Sequence, residues 1–380
     1  MATTTDVEYN FLGKTGVKVS NICLGTMTFG KQEGGPFNFH DTPTHSDEKT
    51  AHSLLNRFVD LGGNFIDTAN VYTGGSSETI IGNWLQSKHR NRNDVVLATK
   101  VRNSTKDKEP NNLGLSRRHI TQALEGSLQR LQTEYIDLYQ GHGWDNATSV
   151  EETLRTFDDL VRCGKIHYYG YSNLCGWQLQ QVVNTYKTLG LQPCVTLQQQ
   201  YSLLHRASEW EPFIVCQNEG IAVLSWSPLT GGLLTGKFKR GGVPDASTSR
   251  VGYMLAQKAF GQLGAWSQFS DDDQYWQIID VLKQISNEND KTVAQVALKW
   301  VLQKGCVASV IIGATSLKQL EENMAVGSAQ WKLSDEQMEA LDTASANNKP
   351  YPYDMLLNAR NAGRYNPFYE KSVKIPKSSI

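Results

Sequence analysis

Four residues that together can move a proton stand near the ends of short apolar runs. Asp67 closes "FID", Tyr72 follows five residues on, Lys100 comes after "VVLAT", and His142 lies in "LYQGHGWD". The phenol is the natural proton donor of such a set. Its ordinary pKa is about 10, and burial raises it. A lysine ammonium about 4 Å away, at an effective dielectric near 20, favours the phenolate by roughly 4 kcal/mol. That is at most about 3 pKa units, because desolvation opposes it. Asp67 can then neutralise and hold Lys100 while His142 orients a carbonyl oxygen, which leaves a general acid poised near working pH. Singly, each residue has a plainer role. A strand-end aspartate caps the next helix, a strand-end lysine extends to water, and a lone histidine is structural. The inference rests on their coincidence.

The elements that must position these groups alternate between two patterns. Eight apolar runs read as strands: Ile22–Leu24, Asn64–Asp67, Val95–Lys100, Tyr135–Gln140, Ile166–Ser172, Val195–Gln199, Ala222–Trp226 and Val310–Ile312. Amphipathic stretches lie between them. Ala51, Leu54, Leu55, Phe58 and Val59 make one helical face, ended by Gly62. Ile120, Ala123, Leu124, Leu128 and Leu131 make a second, and Val150, Leu154, Phe157 and Val161 a third. Strands alternating with helices predict a parallel sheet, and eight of them predict a closed (β/α)₈ TIM barrel. The rival doubly wound sheet needs G-x-G-x-x-G after its first strand, and "GTMTFGKQEGG" lacks that spacing. In the barrel, catalytic groups come from the C-terminal ends of several strands. Asp67, Lys100, His142, Ser172, Asn173, Gln198 and Trp226 all fall there.

Two segments depart from the repeat: a Gly-, Ser- and Gln-rich insertion at 233–272 and a tyrosine-rich tail from about 350 to 380. No linker or charge run marks a second domain, so residues 1–380 read as one barrel domain with a core of about 9–345 and a tail of 346–380. The formal charge of −1 gives no reason to expect nucleic acid or an acidic membrane as partner. No run approaches the ~18 apolar residues of a membrane helix. The start, MATTTDVEYN, does not read as a secretory signal, and the six cysteines lack a C-x-x-C pair. A cytoplasmic protein is the expectation. A metal-dependent hydrolase would draw on His40, His45, His142 and Asp145, yet the first strand carries no histidine pair, and no metal site is expected.

The blocks "FIDTANVY", "LATK", "YIDLYQGHGWD" and "GYSN" resemble, in chain order, the signature blocks of the aldo-keto reductases. The resemblance runs from about residue 9 to about 345. "WSPLTGGLLTGK" and "IIGATSLKQLEENM" are most similar to the branch holding bacterial sugar- and stress-related reductases and the potassium-channel β subunits. It implies a TIM barrel that binds NADPH and reduces aldehydes or ketones, with NAD not excluded. It places the catalytic tetrad on Asp67, Tyr72, Lys100 and His142, with Tyr72 giving the proton. It places Ser172, Asn173 and Gln198 on the nicotinamide carboxamide, and Trp226 against the nicotinamide ring. Thr26 and Met27 fall beside the ribose, with Asp67 counted among these contacts too. Ser227, Leu229, Gly231 and Lys237 match the pyrophosphate segment, and Gly313, Thr315, Gln319, Glu322 and Asn323 the adenosine end. Many relatives carry an arginine where Thr315 stands, so Lys318 or Arg250 is the candidate cation there. A cofactor-sensing binding subunit on the same fold is the alternative reading. Substrate identity is not legible; Trp144, Phe29, Tyr253, Tyr351 and Tyr353 are candidate pocket walls, or anchors of the tail.

Overall fold

A computed structural model describes residues 7–30, 45–87, 91–105, 109–256 and 266–358. Before the barrel comes a hairpin, β1 (Tyr9–Phe11) and β2 (Lys18–Ser20), which is not among the eight expected strands. Eight parallel strands then close a barrel: β3 (Ile22–Gly25), β4 (Phe65–Asp67), β5 (Val96–Val101), β6 (Ile136–Gly141), β7 (Ile166–Ser172), β8 (Cys194–Gln200), β9 (Ala222–Trp226) and β10 (Val307–Ile312). They are the eight expected strands; Ile166–Ser172 and Ala222–Trp226 have the expected ends, and the others differ by at most three residues at an end. Strand β10 pairs with both β9 and β3, so no barrel edge is left open.

Helices α1 (Glu48–Asp60), α2 (Ser76–Leu85), α3 (Arg117–Leu131), α4 (Val150–Arg162), α5 (Gly176–Leu189) and α6 (Pro212–Glu219) return the chain between the first seven strands. Helix α1 shows how sequence sets such an element. The Asp47 carboxylate accepts from Thr50 N at its start, Ala51, Leu54, Leu55 and Phe58 are its buried face, and Gly62 leaves it at φ 88°. After β9, the 233–272 insertion is not all loop. It carries α7 (Arg250–Ala256) and α8 (Trp266–Phe269), followed by α9 (Asp273–Asn289) and α10 (Val293–Leu302). Helices α11 (Leu317–Met324), α12 (Asp335–Ala344) and α13 (Tyr353–Asn358) follow β10 among the described residues. The rest of the expected tail lies outside the described residues.

The strand alternation decides what faces inward. Ile22, Leu24, Ile66, Leu97 and Tyr139 pack outward beneath the helices, whereas Cys23, Phe65, Ala98, Leu138 and Leu224 fill the barrel. Leu12 and Val19 of the hairpin join that inner cluster, so the hairpin plugs the N-terminal end. Two residues further along the inward columns the chemistry changes. Asp67 follows Phe65, Lys100 follows Ala98, Gln140 follows Leu138, and Trp226 follows Leu224. The layer at the C-terminal mouth is therefore polar, resting on an apolar one.

Helix α2, directly after Tyr72, is clamped to its neighbours. Its fully buried Glu78 accepts from Thr99 Oγ1 at 2.6 Å and from Arg130 Nε at 2.8 Å. Gly82 lets α2 approach α3: a β-carbon there would collide with the Arg130 carbonyl oxygen and come within 2.9 Å of the Leu131 carbonyl carbon. Gly82→Ala should therefore destabilise the protein by about 1–3 kcal/mol, the usual cost of overpacking, seen as a lower urea midpoint. An unchanged midpoint would mean that the helices part freely.

Candidate active site

The mouth layer converges on one buried charge. Lys100 is fully buried, and its Nζ donates to Asp67 Oδ2 at 2.6 Å, to the Thr68 carbonyl at 2.8 Å and to Tyr72 Oη at 3.1 Å. Asp67 is held from its other side, since its Oδ1 accepts from Gln198 Nε2 at 2.8 Å and Gln140 Nε2 at 3.4 Å. Register explains the meeting: Asp67 lies opposite Ala98, and Lys100 opposite Gln140.

Tyr72 arrives by a turn rather than a strand. Thr73, Gly74 and Gly75 follow it with φ of 47°, 63° and 98°, a left-handed run that only glycine adopts freely. Thr73 Oγ1 donates to the Phe29 carbonyl at 2.7 Å and accepts from Ser77 N at 3.1 Å. Ser77 Oγ donates to the Thr26 carbonyl at 2.8 Å. Because Tyr72 Oη accepts from Lys100, its own proton remains for a third group. The His142 ring stands edge-on to the phenol, with centroids 5.9 Å apart.

The electrostatics correct the expectation of a phenol near working pH. Burial pushes the Tyr72 pKa up, and the Lys100 charge draws it only part of the way back, leaving it above the ordinary 10.0. Asp67 also raises it, by opposing the lysine's field. The phenol therefore keeps its proton through neutral pH. Burial opposes the Lys100 charge as well, but Asp67 and Tyr72 overrule it and hold its pKa above the usual lysine value. Burial, then Lys100 and Arg102, lower His142 to about 3. Its ring is neutral at physiological pH.

The cofactor candidates fall around the same mouth. Thr26 Oγ1 donates to the Asp67 carbonyl at 3.1 Å, and Met27 follows it, half-buried. Asn173, at φ 59°, donates to the His142 carbonyl at 3.1 Å and accepts from Trp226 Nε1 at 3.0 Å, which fixes that indole. Gln198 spends its amide nitrogen on Asp67, leaving its oxygen for a ligand. Ser172 Oγ and Gln140 Oε1 are buried, with no hydrogen-bond partner among the described residues. An amide-bearing ligand would satisfy them, so the donor set fits a nicotinamide carboxamide. After β9, Ser227 (φ 51°) and Gly231 (φ 66°) make left-handed turns on either side of half-buried Leu229, with exposed Lys237 beyond. Past β10, exposed Gly313 leads to Thr315, whose N and Oγ1 both donate to Gln319 Oε1 at 3.0 Å. The Glu322 carbonyl accepts from Gln295, and Asn323 is buried. Lys318 is exposed and 3.9 Å from Glu322. The charge of Arg250 acts on Tyr72.

Other expectations fare differently. Phe29 is fully buried and so forms no pocket wall, while Tyr353 stacks on Trp210 at 5.6 Å and anchors the tail. Tyr351 is 79% exposed. Trp144 packs edge-on against Trp177. Tyr253 donates its backbone N–H to the Ser249 carbonyl in α7. His40 lies outside the described residues. Asp145 is occupied by Leu115 N, Ala147 N and Thr148 Oγ1, and among the described residues no three metal-ligating groups cluster. No described helix is long and apolar enough to cross a membrane. Sequence reasoning missed Gln140, Arg102 and Asn103. Extending the period-two column past Leu138 finds Gln140. Arg102 and Asn103 follow β5 in a loop that no periodicity marks.

A model of the aldo/keto reductase family matches residues 21–346. The chain is 37% identical to an uncharacterized oxidoreductase, YrpG, of Bacillus subtilis, over 84% of this chain and 90% of that protein. It is 34% identical to a probable voltage-gated potassium channel subunit beta of Arabidopsis thaliana, over 84% and 90% of the two chains. It is 30% identical to norsolorinic acid reductase of Aspergillus flavus, over 90% and 81%.

The His142 shift carries a sign for stability. Its folded pKa of about 3 lies below the ordinary 6.5, so the unfolded chain binds more protons between those values. Stability from this group is complete above pH ~6.5 and is lost as pH falls toward 3. Urea unfolding of His142→Asn should lose less stability over that window than the parent protein. Parallel losses would show that His142 is not held neutral by the fold.

Proposed function

Because this chain belongs to the aldo/keto reductase family, we propose that it reduces aldehydes or ketones to alcohols at the barrel mouth, with NADPH as reductant. The observation that carries the proposal is Lys100 Nζ, held by Asp67 and bonded to Tyr72 at the ends of adjacent strands. When bound, the nicotinamide supplies a hydride to the carbonyl carbon. Every other part falls to the chain's own groups. Tyr72 donates its proton to the carbonyl oxygen, and Lys100 stabilises the phenolate left behind. Asp67 holds Lys100 in place, and neutral His142 directs the carbonyl oxygen toward the phenol. A donor above its ordinary pKa is fully protonated when needed, and the ammonium beside it offsets the cost of giving the proton up.

Ser172, Gln198 and Asn173 would hold the carboxamide, with Trp226 against the ring face and Thr26 and Met27 beside the ribose. Ser227, Leu229, Gly231 and Lys237 would wrap the pyrophosphate. Gly313, Thr315, Gln319, Glu322 and Asn323 would hold the adenosine end. The preference for NADPH over NADH rests on Lys318 at the first turn of α11, and on Arg250. Six unbridged thiols are in keeping with a cytoplasmic protein. The second reading, a cofactor-sensing subunit, draws on the similarity to the channel β subunits. NADPH binding without turnover across a carbonyl panel would favour it.

Tyr72→Phe should lower carbonyl reduction by about 10²–10⁴-fold while leaving NADPH affinity nearly unchanged. Steady-state rates and cofactor fluorescence titration measure the two arms. Near-normal reduction by this variant would remove Tyr72 from the donor role.

A further inference from the structure

We propose that Asn103, oriented by Arg102, fixes the proton of His142 on Nε2 and so makes the mouth-facing nitrogen a hydrogen-bond donor. The inference rests on the reductase reading for its consequence, but not for its geometry. Arg102 and Asn103 leave β5 directly after Val101. The Arg102 Nε donates to the Trp144 carbonyl at 2.9 Å, and its Nη1 lies 3.3 Å from Asn103 Oδ1. A guanidinium has donors only, so the Asn103 atom facing it must be the amide oxygen. That settles a choice which amide shape alone leaves open. The other end of the amide, Nδ2, then points at His142 Nδ1 from 3.5 Å.

An NH₂ group can only donate, so His142 Nδ1 must present its lone pair. A neutral imidazole carries one ring proton, which therefore sits on Nε2. The backbone around the pair is pinned. Asn70 Nδ2 donates to the Asn103 carbonyl at 3.0 Å, and Gly114 N to the Arg102 carbonyl at 2.8 Å. His142 N donates to the Val101 carbonyl at 2.8 Å, and the His142 carbonyl accepts from Asn173. Nε2 has no hydrogen-bond partner among the described residues, which leaves it for a ligand.

The chemical consequence is a choice of acceptor. Tyr72 Oη and His142 Nε2, on rings set edge-on with centroids 5.9 Å apart, then both offer a proton for hydrogen bonding. A carbonyl oxygen, with two lone pairs, can accept from both. A protonated imine, which is itself a donor, cannot. Asn103 is a positioning residue in this proposal, acting through His142.

The test is nitrogen NMR of the full-length protein with ¹⁵N-labelled histidine, His142 being assigned by its absence in His142→Gln. The expected result is a neutral ring with a bare Nδ1 and a protonated Nε2. Asn103→Asp replaces the donor by an acceptor of the same shape. It should move the proton to Nδ1, or charge the ring, and lower kcat for carbonyl reduction by about tenfold or more with the KM for NADPH little changed. Asn103→Leu should give mixed tautomers and a smaller loss. A parent-protein signal with the proton on Nδ1, or an unchanged tautomer in Asn103→Asp, overturns the proposal. The parent spectrum requires no turnover, so it decides the tautomer even if the protein reduces no carbonyl at all.

Discussion

A lysine with no solvent contact is the constraint around which the mouth is built. An ammonium out of water is costly unless it is paired and hydrogen-bonded, and removing one partner of such a pair costs about 3–5 kcal/mol. Lys100 meets that demand with a carboxylate, a carbonyl and a phenol oxygen. Asp67, equally enclosed, needs the amides of Gln198 and Gln140 in turn. Strands β4, β5, β6 and β8 thus each commit a side chain to one cluster, and the register that buries the apolar layer below also brings these four together.

Much of the remaining architecture keeps that cluster rigid. The hairpin closes the far end of the barrel with Leu12 and Val19, so the interior is packed beneath the polar layer. The left-handed turn after Tyr72 sends the chain into α2, and the Glu78 clamp fixes α2 against β5 and α3. A phenol on a loop would otherwise sample many positions. Here its height above Lys100 is set by a turn and a helix that are each bonded to neighbours. Preorganisation of this kind lets the groups act without rearranging as charge develops.

How far the sequence revealed this depends on what kind of signal each part leaves. The barrel strands were legible because parallel strands buried on both faces read as unbroken apolar runs ending in a polar residue. Even β4, three residues long, was found through its Asp67. The hairpin was not, because Leu12 and Val19 are too few and too far apart to make a pattern. Phe29 reads as a pocket aromatic in a loop, yet its carbonyl accepts from Thr73, Gly30 lies against Ser76 and Ile80 of α2, and the Phe29 ring is buried. The Tyr72 pKa was misjudged for a physical reason. One lysine at one distance gives only an upper bound on the downward shift, and in the folded protein burial exceeds it while the Asp67 charge adds to the rise. Arg102 and Asn103 leave no periodic signal at all, and only coordinates relate them to His142.

In the proposed reaction, the Lys100 charge makes proton delivery from Tyr72 fast. The most direct test is the single-turnover rate of NADPH oxidation by a saturating carbonyl substrate in Lys100→Met, compared in H₂O and D₂O. Cofactor binding in the variant serves as the check on folding. The expected result is a step slowed by about 10²-fold or more, with a larger solvent isotope effect than in the parent protein because proton transfer now limits the rate. A rate and isotope effect equal to those of the parent protein would contradict it.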